Sequence, residues 1–249
     1  MATAHFILQG KGGVGKSFVS AILAQYFNKN GIKVHCADTD PINATFESYE
    51  EFSVKHINLF SGGNNIVVQS EFDGLIELIC EAGEDEHIVI DNGASSFIPL
   101  INYIVENNAL ELLKSMGHKI CLHSIITGGP ALRDTLAGFD LLAKEFSKDA
   151  DIFIWLNEFF GEVEADEKKF EQMIAYKNNA KSVVGIVTIR KQSELFLTSL
   201  KKALNLNLSL EAAINQPEIK VMDKQRLKMI QKDLFEQLDP IFNKNQKVA

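Results

Sequence analysis

The octapeptide GKGGVGKS at residues 10–17 constrains the fold of this chain more than any other stretch. It follows the apolar run HFILQ (5–9). After it, Val19, Ile22, Leu23, Tyr26 and Phe27 recur with helical spacing, and Gly31 lies just past them. Gly10, four residues, then Gly15-Lys16-Ser17 fit G-x-x-x-x-G-K-[ST], a pattern with mechanical meaning only between a strand and a helix. There the backbone N–H groups of Gly12, Gly13, Val14, Gly15, Lys16, Ser17 and Phe18 converge on a phosphate chain at the positive end of a helix dipole. Lys16 reaches the β- and γ-phosphates, and Ser17 binds Mg²⁺. An ordinary phosphate loop needs no second lysine, so Lys11 requires its own explanation.

Beyond the loop, apolar runs alternate with helical periodicity. KVHCAD (33–38), HIVID (87–91), KICLHSII (119–126), DIFIWLN (151–157) and SVVGIVTI (182–189) join HFILQ as expected strands. Several are apolar at consecutive positions, as strands covered on both faces must be. The expected fold is α/β, a doubly wound, mostly parallel sheet with helices on both faces, and one domain over residues 1–249. Leu132, Leu136, Phe139, Ala143 and Phe146 mark one helix, opened by Pro130. Ile219, Met222, Leu227, Ile230, Leu234 and Leu238 mark a C-terminal helix over about 217–238 that packs on the domain, ahead of the interrupting Pro240. SGGNN (61–65) and NEFFGEVEADEKK (157–169) read as loops, the second as an acidic surface excursion.

A net charge of −8 argues against an unspecific nucleic-acid coat, although a local basic patch is compatible with it. Cys36, Cys80 and Cys121 form no C-x-x-C pair and read as unpaired thiols in a reducing compartment. With no signal-like N-terminus and no apolar run of membrane-spanning length, the expectation is a cytoplasmic protein.

Acids are needed to hold the metal. Asp91 ends one apolar strand and Asp38 another, with Asp40 following in DTDP, and in a doubly wound sheet such strand ends face the ligand. Turn chemistry ahead of Pro41 is the alternative for Asp38 and Asp40. The guanine-reading N-K-x-D pattern is missing at every strand end. Asn157, closing DIFIWLN, offers an amide to adenine, so ATP is favoured over GTP; a strand-terminal turn is its other reading.

KGGVGKS resembles the deviant Walker A sequence of the ParA/MinD group of ATPases, marked by the additional lysine. DTDP followed by Asn43, Ala44 and Thr45 resembles its switch I, and IVIDNG its Walker B strand and switch II. LQGKGGVGKS, DTDPINATF, DNGASSF, TGGPALRDTLAGF, WLNEFFG and QRLKMI look most like the TraL/StbB branch of plasmid conjugal-transfer ATPases. The resemblance covers essentially the whole chain and implies a P-loop NTPase of the SIMIBI type that closes as an ATP-dependent sandwich homodimer. In such a dimer Lys11 would reach the partner's phosphates, as an arginine finger does, and Gly12 would allow close approach. Asp40 would orient the attacking water, while Asp38 and Asp91 would support Mg²⁺ through water. Departures occur in switch I, one residue shorter than in common partition proteins, and in Asn92-Gly93-Ala94, where those proteins carry prolines.

The leading expectation is therefore a slow Mg²⁺-dependent ATPase acting as a switch. It would position conjugation, type IV secretion or relaxosome proteins, with any membrane contact made through a partner. The alternative is ATP-dependent unspecific DNA binding, for which Lys220, Lys224, Arg226, Lys228 and Lys232 are the helix-borne cluster, interrupted by Asp223 and Asp233. A small-molecule kinase or ligase lacks further catalytic groups apart from the unassigned Ser95 and Ser96.

Overall fold

The computed structural model describes residues 1–60 and 67–243, so SGGNN at 61–65 lies outside the described residues. Strands β1 (Thr3–Leu8), β2 (Val34–Asp38), β3 (Lys55–His56), β4 (His87–Asp91), β5 (Lys119–Thr127) and β6 (Asp151–Asn157) precede a small antiparallel hairpin. That hairpin is β7 (Glu164–Ala165) with β8 (Lys168–Lys169), and β9 (Val183–Ile189) follows it. The main sheet has seven strands in the order β3-β2-β4-β1-β5-β6-β9, every neighbouring pair parallel. The six strands read from apolar runs fall within two residues of their expected ends.

Helices cover both faces, as long parallel crossovers require. Residues of α2 (Asp73–Glu81), α3 (Phe97–Glu106), α4 (Ala109–Ser115) and α5 (Leu132–Phe146) share one core with Phe6, Leu8 and Leu122, and Ala175 and Tyr176 of α6 (Ile174–Asn179) pack against it. The other core joins α1 (Lys16–Lys29), α7 (Glu194–Asn205), α8 (Leu210–Asn215) and α9 (Val221–Phe242) to Ile7, Val89 and Trp155. Alternation along β1 explains the split, since successive side chains point to opposite faces.

Three expectations need correction. The 157–169 segment is not loop throughout, because β7 and β8 pair across a turn in which Asp166 and Glu167 take positive φ. The C-terminal helix begins at Val221 and runs through Pro240 to Phe242. Proline in the last turn removes one backbone bond, while Phe242 beyond it packs on Phe27 with ring centres 5.3 Å apart. Met222 lies on the outer side of that helix, 58 % exposed, although the rest of its expected stripe is buried.

Candidate functional site

The carboxyl ends of β1, β2 and β4 meet at one edge of the sheet, and the 10–17 loop crosses it. Gly13 (φ 72°) and Gly15 (φ 100°) take left-handed backbone, which turns the loop into α1. Gly15 is the residue before the helix and no side chain caps its first turn. The orphan N–H groups are therefore free for an anion. A Cβ on Gly15 would come 2.9 Å from the Asn157 amide nitrogen, whereas one on Gly12 would meet nothing closer than Ala94 Cβ at 3.9 Å. Among the described residues nothing crowds a side chain at position 12.

Above the loop opens a cleft of about 610 Å³ lined by Gly12, Gly13, Gly15, Lys16, Ser17 and Phe18. Asp40, Asn43, Thr45, Ala94 and Ser95 also line it. Lys16 is nearly buried and its Nζ donates to Lys11 O at 3.3 Å. Burial lowers its pKa, opposed by the Asp91 and Asp40 carboxylates. Burial, and then the Asp38 carboxylate, push the Asp91 carboxyl up to about 7, opposed by Ser17, Lys16 and Ser20. Asp91 Oδ1 is buried without a hydrogen-bond partner among the described residues. An orphaned hard oxygen beside the Ser17 hydroxyl suits Mg²⁺. No group of three or more His, Cys, Asp or Glu among the described residues could hold a metal by itself, so such an ion depends on ligand oxygens as well.

Asp38 is engaged by backbone donors. Its Oδ1 accepts from Asp40 N at 2.8 Å, and its Oδ2 from Phe46 N at 3.0 Å and Glu47 N at 3.1 Å. Burial raises its pKa and these backbone donors oppose the rise. Asp40 Oδ1 accepts from Ile42 N at 2.9 Å and Asn43 N at 3.0 Å, an Asx turn that holds the carboxylate at the cleft.

Lys11 is about half exposed, and its Nζ lies 2.9 Å from Asp134 Oδ2 in the first turn of α5. Asn157 also reaches the site. Its Nδ2 donates to Val14 O at 2.8 Å and its Oδ1 accepts from Phe159 N at 3.1 Å. The amide thereby braces the glycine loop against the end of β6. Beside it lies an apolar cleft of about 180 Å³ between Phe18, Phe159, Phe160, Ile189, Leu200 and Leu204. These lining residues beyond Phe18 escaped the sequence reading, although Phe159 and Phe160 sit in the quoted WLNEFFG. Gln9 was missed too. Buried, it donates to Ile125 O at 2.9 Å and Thr135 O at 3.1 Å while accepting from Gly10 N at 2.9 Å, which ties the loop to α5.

Comparison with known proteins places this geometry in context. The family model described as the CobQ/CobB/MinD/ParA nucleotide binding domain matches residues 5–222. Two Escherichia coli proteins, each named protein TraL, are 43 % and 40 % identical over 240 residues, covering 96 % of this chain and 98 % of each relative. Among solved structures, a putative plasmid partition protein from Borrelia burgdorferi B31 bound to AMPPNP is similar with a TM-score of 0.51 at 16 % identity. That likeness covers 95 % of this chain and 99 % of that one. The MinC:MinD cell division protein complex of Aquifex aeolicus gives a TM-score of 0.51 at 14 % identity, covering 92 % and 95 %. Both structural likenesses speak to the fold alone. No helix among the described residues is long and apolar enough to cross a membrane.

Proposed function

The chain belongs to the CobQ/CobB/MinD/ParA nucleotide-binding family and is related to protein TraL over nearly its whole length, and from that premise we propose an ATP-dependent, dimerising switch ATPase. Its ATP-bound homodimer would recruit or position proteins of plasmid conjugal transfer, type IV secretion or the relaxosome. One observation supports the reading: the glycine loop that lines the cleft is preceded by a second, half-exposed lysine, Lys11, paired only with the surface carboxylate of Asp134 among the described residues.

Backbone N–H groups of residues 12–18 bind the phosphates, with Lys16 on the β- and γ-phosphates. The Ser17 hydroxyl, with Asp91 and Asp38 in support through water, would hold Mg²⁺, which would neutralise charge on the phosphate oxygens. Asp40 keeps one carboxylate oxygen on its own turn, leaving the other to orient a water against the γ-phosphate. Water oxygen bonds to phosphorus as the bond to ADP breaks, giving ADP and phosphate. Lys11, released from Asp134, adds positive charge across the dimer. Hydrolysis removes the bridging phosphate and lets the two chains part.

The DNA-binding reading has less to draw on. Arg226 is bonded to Asp223 and Ser199, and Lys232 lies 3.6 Å from Glu236, which leaves Lys220, Lys224 and Lys228 without an ion-pair partner among the described residues. A pull-down with Asp40→Ala trapped in ATP and Mg²⁺, from cells carrying a conjugative plasmid, tests the proposal. Recovery of secretion or relaxosome proteins supports it, whereas recovery of DNA alone favours the partition mode. Lys16→Ala, which cannot bind nucleotide, recovers neither.

A further inference from the structure

Three buried polar side chains next to the cleft make no contact that the proposed reaction uses. Thr39, Asn92 and Ser96 are each fully buried. Asn92 Oδ1 accepts from Thr39 Oγ1 at 2.9 Å and from Ser96 Oγ at 3.1 Å, while its Nδ2 donates to Gly93 O at 2.9 Å. That last contact fixes which way the amide lies. Turned over, its oxygen would face another carbonyl oxygen at the same distance. Oδ1 thus lies within hydrogen-bond reach of both hydroxyls, which also approach backbone carbonyls: Thr39 Oγ1 lies 3.1 Å from Asp91 O, and Ser96 Oγ lies 3.2 Å from Gly93 O and 3.4 Å from Thr39 O.

Each member adjoins a chemical group. Thr39 lies between Asp38 and Asp40, and its N donates to Asp91 O at 2.9 Å. Asn92 follows Asp91. Ser96 occupies the capping position of α3, yet its hydroxyl does not cap that helix and turns back to Asn92. Gly93 completes the seat, because a Cβ there would stand 2.9 Å from Asp40 Cα and 2.8 Å from Asp40 Cγ. The segment after β2 and the segment after β4 are thus joined by side chains as well as by the sheet.

We infer that Thr39, Asn92 and Ser96 are positioning residues for hydrolysis, a clasp that binds the Asp40 turn to the start of α3 and presents the Asp40 carboxylate to the cleft. The inference rests on the role proposed above for Asp40. The clasp touches neither the loop amides nor Lys16, so it bears on turnover and not on nucleotide affinity. Misplacing a reacting group by about 1 Å costs on the order of 100-fold in rate. The clasp also assigns a task to Ser96 in the DNGASS segment.

The test uses the full chain with Thr39→Val, Ser96→Ala and Thr39→Ser, the last keeping a hydroxyl. Phosphate release gives kcat, a fluorescent ATP analogue gives affinity, and hydrogen exchange without nucleotide reads the clasp directly. Thr39→Val and Ser96→Ala should lower kcat about 10- to 100-fold with affinity within about threefold, and Thr39→Ser should restore kcat to within about threefold of wild type. Amides of residues 40, 42–46 and 93–97 should exchange faster together in both impaired variants. Unchanged exchange in either segment overturns the clasp, as does loss of affinity and melting temperature in step with kcat and without rescue by serine. A wild type that binds ATP but releases no phosphate defeats the switch-ATPase reading instead, and the exchange data then decide the clasp alone.

Discussion

Lys11 Nζ and the Asp134 carboxylate lie 2.9 Å apart, so the lysine that marks this loop is held in cis by the first turn of α5. Both side chains are about half exposed, and an exposed pair of this kind contributes less than about 1 kcal/mol to folding. Its effect is on where Lys11 points. Asp134→Asn should leave thermal stability within that margin and lower the protein concentration at which ATP and Mg²⁺ produce dimer. Light scattering across a dilution series measures the midpoint; a midpoint equal to that of wild type counts against any restraint on Lys11.

Asp38 organises the segment that carries Asp40. Its carboxylate accepts three backbone N–H bonds, and bonds to a charged acceptor are worth about 1.5–3 kcal/mol each before their mutual dependence is considered. Asp38→Ala should destabilise the fold by about 2–4 kcal/mol in denaturant titration and speed hydrogen exchange at Phe46 and Glu47.

Gly138 faces Gln9 across the loop–helix tie. A Cβ there would come within 2.9 Å of Gln9 Cδ and closer still to Oε1, so Gly138→Ala must displace the amide from Gly10 N and Thr135 O. Overpacking of a filled interior costs about 1–3 kcal/mol. Weaker binding of a fluorescent ATP analogue is expected alongside that loss, because the displaced amide anchors the start of the phosphate loop.

Acid should weaken the fold through a buried chain of imidazoles. Trp155 Nε1 donates to His123 Nδ1 at 3.0 Å, His123 Nε2 pairs with His5 Nδ1 at 2.9 Å, and His5 Nε2 pairs with His87 Nδ1 at 2.8 Å. An indole N–H only donates, so each ring is neutral with its proton on Nε2. Burial, then His123, His87 and Lys119, hold His5 well below its ordinary range. Burial takes His123 down to about 3, and burial and then Lys119 take His87 down to about 4, opposed by Asp85. The unfolded chain therefore binds protons near pH 6.5 that the folded chain refuses. Stability present above that pH is lost as pH falls towards 4, by up to about 1.4 kcal/mol per pH unit for each ring. Asp91 and Asp38, both raised, act in the opposite sense. Comparing wild type with His87→Gln separates the two contributions: the variant should lose less stability between pH 7 and pH 5 in urea titrations, and an equal loss would remove His87 from the account.

What the sequence revealed follows from the range of the contacts. Strands buried on both faces announce themselves as apolar runs, and a phosphate loop is read within eight residues. β3 is two exposed residues, Lys55 and His56, and leaves no apolar pattern. Asp38, Asp40 and Asp91 were legible because strand ends converge in this architecture. Their partners were not: Gln9 meets Thr135 across 126 positions and Thr39 meets Asn92 across 53. Asn157 was legible as the residue that closes its strand, but the bond from its amide to Val14 O depends on the folded loop.

The central claim is that two chains close on ATP through Lys11, and mass measurement by light scattering tests it most directly. Wild type and Asp40→Ala with ATP and Mg²⁺ should each give about twice 27.7 kDa, while Lys11→Ala under the same conditions should stay near 27.7 kDa. A wild-type protein that binds ATP yet remains at 27.7 kDa, or a Lys11→Ala protein that dimerises as wild type does, would contradict the account.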